Sequence, residues 1–202
     1  MRCRCGLLTA LMMAILLQGD VRAIATALSE KDIDRALKLA QAPEQKRVLF
    51  HAPYIVRVND AVVEHIEVVT EFRRCVLTAE EQLRMGNWLF VHSLRDAQEK
   101  LRGWHQRVSL VARLRFHPQN SLSTIPPYVI EVVPYVEPLT IARTPITALV
   151  SGRAGDFNAP LMGATIETVF DAAAIGHTRR PVTVWLPSHE VARVTIDFTR
   201  LE

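Results

Sequence analysis

An α+β fold is what this sequence of 202 residues predicts: predominantly antiparallel β, as a sheet or sandwich, with two or three short helices in the N-terminal half. Three observations carry that prediction. Val108, Leu110, Ala112, Leu114 and Phe116 occupy every second position, with Arg107, Ser109, Arg113, Arg115 and His117 between them. That alternation puts apolar side chains on one face of a strand and charged ones on the other. Tyr128, Ile130, Val132 and Val136 repeat the pattern, so the stretch 106–136 holds a pair of long half-buried strands. Third, capped stripes of helical period occur only before Gln106, and only alternating segments follow it.

The chain opens on what resembles an address rather than structure. Arg2 and Arg4 precede twelve apolar residues at 6–17, and small residues then recur at Ala23, Ala25 and Ala27. This order predicts a secretory signal peptide over 1–23, cut near Ala23–Ala27, and a periplasmic or extracellular destination. Twelve residues fall short of the roughly 20 that cross a bilayer, and no later run is longer, so the mature chain has no expected transmembrane span. The rest, 24–202, is expected to form a single α+β domain, with sub-lobes 28–105 and 106–202 as the alternative.

Trimming alters the charge argument. Of 24 basic residues, Arg2, Arg4 and Arg22 leave with the signal, and Asp20 leaves from the 21 acidic ones. The mature chain then has 21 basic against 20 acidic residues, which argues against a nucleic-acid partner. Cys3 and Cys5 leave too, so Cys75 remains alone and no internal disulfide is expected.

In order, Ser29 and Asp32 form a near capping box for a helix striped by Ile33, Ala36, Leu37 and Ala40, and Pro43 stops it. A link over 45–52 leads to a strand at 54–58. Asn59-Asp60 then suits a hairpin into a strand at 62–72. In that strand Val62, Ile66, Val68 and Phe72 face one way, and His65, Glu67 and Glu71 the other. Thr78 with Glu81 predicts the start of a second helix, closed by Gly86. Ser93 with Asp96 predicts a third, with Leu94, Ala97, Leu101 and Trp104 on one side and Gly103 at its end. Trp88, Leu89 and Phe90 between them read as a buried connector.

After the long strands, 140–150 is a strand that Pro145 confines to an edge or a bend. The stretch 151–163 has three glycines and a proline and is expected to be the longest loop. Strands at 164–171, 182–186 and 192–198 complete the chain. Tyr128 and Tyr135 fall on opposite faces by parity, which leaves one for solvent.

The chemistry on offer is sparse. Arg73 and Arg74 beside Cys75 would favour a thiolate, but the apolar Cys-Val-Leu run favours a buried thiol. None of the seven histidines sits at a metal-ligand spacing. His65 and Glu67 share a strand face, and His117 would be a third ligand if the long strand lies alongside. The plainer reading pairs Glu67 and Glu71 with Arg113 and Arg115 across a solvated face. Ser188-His189-Glu190 has triad residue types, but sequence neighbours cannot adopt triad geometry, so a turn is expected. No nucleophile elbow, phosphate-binding glycine loop or dinucleotide fingerprint occurs, and no cofactor or metal is expected.

The sequence therefore points to an exported, non-enzymatic binding module for a protein or envelope component. Its candidate binding face carries His65, Glu67, Arg113, Arg115 and His117. The alternative is a hydrolase or metal-dependent enzyme with a site assembled from distant residues.

Overall fold

A computed structural model describes residues 27–147 and 161–202; the expected signal peptide and most of the expected loop at 151–163 lie outside them. Helix α1, Glu30–Ala40, starts on the expected cap. The Asp32 N–H donates to Ser29 Oγ at 3.3 Å, and the Ser29 N–H donates to the Asp32 carboxylate at 3.2 Å. The short Asp side chain closes the box because the serine hydroxyl leans over to donate to it as well, at 2.6 Å. Ile33, Ala36, Leu37 and Ala40 are its buried residues.

The expected link is instead a second helix, α2, Glu44–His51. None of its residues is buried, so it has no apolar stripe to betray it. A 3-10 turn at Ala52–Tyr54 then shortens the first strand to β1, Ile55–Arg57. The hairpin follows as expected, with the Asp60 carboxylate accepting the Val62 and Val63 N–H groups at 2.7 and 2.9 Å.

Strand β2, Val63–Val69, ends before Glu71 and Phe72, which the alternation assigns to it. Thr70 caps helix α3, Glu71–Arg84, by accepting the Arg73 N–H at 3.2 Å. Phe72, Cys75, Val76 and Ala79 form its buried stripe. Thr78, expected to open this helix, lies inside it; Phe72 satisfies both periods, and that hides the boundary. Gly86 ends α3 at φ +83°, with the Asn87 N–H returning to the Gln82 carbonyl at 2.9 Å. Ser93 caps α4, Leu94–Leu101, accepting the Asp96 N–H at 3.2 Å. The connector is not buried as a whole: Phe90 is, but Trp88 is 66% and Leu89 80% exposed.

Two antiparallel sheets follow. The first holds β3 (Arg107–Arg115), β6 (Leu161–Asp171) and β5 (Thr140–Thr147) in the order β1-β2-β3-β6-β5. The Pro145 strand is at its edge, as expected, and 161–163, expected in the loop, belongs to β6. The second sheet runs β4-β7-β8, with β4 at Val129–Val132, β7 at Arg179–Leu186 and β8 at His189–Asp197. The second of the two expected long strands is thus only four residues long. It belongs to the other sheet, paired with β7. Tyr128, Ile130, Val132 and Val136 are nonetheless buried, and Tyr135 is exposed. A short helix, α5 at Ala172–Ile175, interrupts the expected all-β second half; Asp171 caps it.

The inner face of the large sheet, with Ile66, Leu110, Leu114 and Ile166, packs with Ile130, Val182, Val184 and Ile196 of the small sheet. A second apolar cluster joins α1, α3 and α4 through Leu37, Phe72, Cys75 and Leu101. Phe50 of α2 touches both clusters. β2 pairs with β3 across the sequence boundary at 105/106. On the outer face of the large sheet, Val69, Ser109 and Val169 lie in register and are buried, and α3 reaches Ser109 from above through Arg74. Among the described residues no helix is long and apolar enough to cross a membrane.

Candidate functional site

The expected polar face exists, with different pairings. His65 lies opposite Arg113 in the β2–β3 register, and its Nε2 is 3.2 Å from Glu67 Oε1. Arg113 and Arg115 do not pair with Glu67 or Glu71. They face Glu64, at 4.0 and 3.7 Å, because the register shifts between Val63 and His65. Glu67 is taken by Arg73 at 2.9 Å, and Glu71 by His105 at 2.7 Å. His117 lies beyond the strand and caps a turn, its Nδ1 accepting the Gln119 N–H at 3.2 Å.

Arg113 and Arg115 side chains are 46% and 66% exposed, so this end of the sheet is open to water. Ion pairs at that exposure contribute little, typically about 0–1 kcal/mol. Among the described residues no group of three or more His, Cys, Asp and Glu side chains is placed to hold a metal ion.

A largely buried polar chain, invisible in the alternation, runs from β2 to α2 and α3. Arg73, its side chain 3% exposed, donates to the Val68 carbonyl at 2.6 Å, to Glu67 at 2.9 Å and to His51 Nδ1 at 3.4 Å. Its guanidinium also lies 5.1 Å from the Tyr54 ring centre. Burial pulls the Arg73 pKa below its usual value, and Glu67 works against that shift. Since His51 Nδ1 accepts from Arg73, the hydrogen-bond pattern assigns the ring proton to Nε2, which lies 3.2 Å from both Glu80 oxygens. Arg47 adds a contact to Glu80 at 3.3 Å. The chain ties α2, α3 and β2 together and leaves neither His51 nor Glu67 as an unengaged base.

Arg74 is equally engaged, with Ser109 Oγ and Glu167 Oε1 both at 2.8 Å and the Trp104 ring centre at 3.4 Å. Neither arginine therefore activates Cys75. Cys75 is 1% exposed, and burial, with Glu71 nearby, pushes its thiol up to about 12. A native thiol held neutral stabilises the fold fully below its ordinary value near 9 and loses that contribution as pH rises toward about 12. In a chain carrying Cys3→Ser and Cys5→Ser, Ellman's reagent at pH 8 should label Cys75 at least about a thousandfold more slowly in buffer than in denaturing urea. Labelling within minutes in buffer would contradict this burial.

Ser188 Oγ is 2.9 Å from His189 Nδ1, but both are exposed at the β7–β8 turn and Glu190 pairs with Arg193 at 2.7 Å. That is the expected turn, with no carboxylate paired to the imidazole among the described residues.

The structure also forms an open cleft of about 800 Å³ between α1, α2 and the segment leading to Glu202. Leu39, Leu49, Phe50, Pro53, Tyr54 and Phe72 supply its apolar surface. Basic side chains surround it, and most are engaged. Lys38 pairs with Asp34 at 2.6 Å, Arg200 with Asp197 at 3.3 Å, and Arg35 with Glu202 at 2.7 Å. Arg35 also lies 4.3 Å over the Phe72 ring. Lys31 and Lys46, on different helices, have no acidic partner among the described residues. Glu202 is fixed beside the cleft, its N–H donating to Tyr54 Oη at 3.2 Å and its carbonyl accepting from Thr70 Oγ1.

The architecture is thus a β-sandwich of unequal sheets with a helical layer, and the α1–α2 cleft lies in that layer. No protein-family model, curated protein or solved structure matches this chain.

Proposed function

We propose that this chain is an exported, non-enzymatic binding module of the cell envelope or periplasm and that it takes its ligand in the α1–α2 cleft. The observation that carries the reading is an apolar surface and two lysines without an acidic partner among the described residues, in one concavity of ligand size. Export rests on the order of charge, apolar run and small residues before Ala27. Cutting at or before Ala27 keeps Leu28, which packs on the helical cluster, and the Ser29 cap. A non-catalytic role is supported by the polar groups themselves: His51, Glu67, Glu80 and Glu167 are each engaged by an arginine.

One experiment tests both halves. The full chain is expressed in a secreting host, recovered from the exported fraction, and its N-terminus sequenced. A chemically diverse ligand set is then surveyed by thermal shift against this protein and its Leu49→Asp variant. Leu49 is 69% exposed, so the substitution spares the core. The expected result is an N-terminus within 24–28 and stabilising ligands whose effect the variant loses. Retention in the cytoplasm would sink the export half, and a survey without variant-sensitive ligands would sink the binding half.

A further inference from the structure

Resting on that binding reading, we infer that the cleft takes a detached single-chain amphiphile with an anionic headgroup, an acyl carboxylate. Helix α2 buries none of its own residues and holds Leu49, 69% exposed, over the cleft. Behind it, Phe50 meets Tyr54 and Phe72 with ring centres 5.2 and 5.8 Å apart, a surface suited to packing methylene groups.

Shape then selects among apolar partners. Two walls of the cleft are helices whose backbone groups are used internally, and at the third the Glu202 N–H and carbonyl are taken by Tyr54 and Thr70, so an extended peptide would find no strand edge to pair with. At about 800 Å³ the cleft falls within the range of small-molecule sites, and a two-turn peptide helix would overfill it. One flexible chain lying along the floor fits both limits.

Charge selects the headgroup. Five basic residues against three acidic ones surround the floor, and Lys31 and Lys46, without an acidic partner among the described residues, stand on different walls. A carboxylate between the two walls would be drawn by both ammonium groups while its tail covers Leu49 and Phe50. A cationic headgroup would meet like charge.

The test is calorimetric titration of the full chain with sodium dodecanoate below its micellar concentration. Dodecyltrimethylammonium serves as the cationic counterpart and phosphatidylglycerol vesicles as the membrane alternative. The expected results are one dodecanoate per chain and affinity at least about tenfold weaker for the cation. Leu49→Asp should weaken dodecanoate binding about tenfold or more, and Lys31→Glu with Lys46→Glu about fivefold or more. All three positions are solvent-facing, and circular dichroism verifies that the variants fold. No dodecanoate binding, equal affinity for the cation, indifference to the substitutions, or binding to vesicles alone would each overturn the inference. If dodecanoate fails while the survey returns other ligands sensitive to Leu49→Asp, only the ligand class falls. If the survey is also empty, the binding reading falls with it.

Discussion

Arg73→Ala is expected to lower the unfolding free energy by about 3 kcal/mol, the lower end of the range for removing one partner from a buried ion pair, because the Glu67 left behind is itself 30% exposed. The side chain is 3% exposed and donates to three acceptors on two elements, the Val68 carbonyl and Glu67 on β2 and His51 on α2. Truncation removes these together and empties the volume of the guanidinium against Tyr54. Urea denaturation should show a lower midpoint with an unchanged slope. Arg73→Lys keeps the charge but cannot form the planar fork, and about half the loss should remain.

A change below about 1 kcal/mol for Arg73→Ala would show that the network does not hold the fold. The consequence for the cleft is direct. A helix of eight residues with no buried side chain is not stable by itself. α2 holds its place through Phe50 and through the Arg47 and His51 contacts with Glu80 and Arg73. The cleft wall therefore depends on an arginine that does not line it.

Gly163→Ala is expected to cost about 3 kcal/mol, the upper end of the overpacking range. A Cβ at Gly163 would lie 2.2 Å from the Leu114 carbonyl oxygen and 3.3 Å from its carbon. Both are backbone atoms of β3, paired to β6 at this point, so no side chain can swing aside. Relief requires the end of the β3–β6 ladder to open. Gly103→Ala is the control, since nothing lies within 4 Å of its would-be Cβ; it should change stability by less than about 1 kcal/mol. Denaturation midpoints of the two variants compare them directly, and equal effects would show that crowding at Gly163 is not the cause.

Residue patterns alone marked the faces. Alternation in β3 named Val108, Leu110, Ala112, Leu114 and Phe116 as buried, and they are. The Ser29 cap, the Gly86 terminus and the edge position of Pro145 were equally legible, because a cap, a positive φ and a missing N–H are properties of a few adjacent residues. The candidate site was legible only in part. His65 and Glu67 do share a face, but Glu64 rather than Glu67 or Glu71 meets Arg113 and Arg115, because a one-residue register shift changes which carboxylate stands opposite. His117 leaves the face because the strand ends at Arg115.

Periodicity states that a face is covered without saying what covers it. Ser109, placed among the charged set, is buried because Arg74, 35 residues earlier, reaches down to it. β4 alternates as a strand does, yet its partner is β7, some 50 residues on, and not β3. α2 and the cleft beside it left no trace in the pattern, since no residue of α2 is fully buried and it is held by Phe50 on both apolar clusters and by polar contacts to α3. Local rules of backbone geometry and solvent exclusion thus determined the elements and their buried sides. Contacts between residues far apart in the chain, which only the folded arrangement brings together, decided the partners, the buried arginines and the cleft.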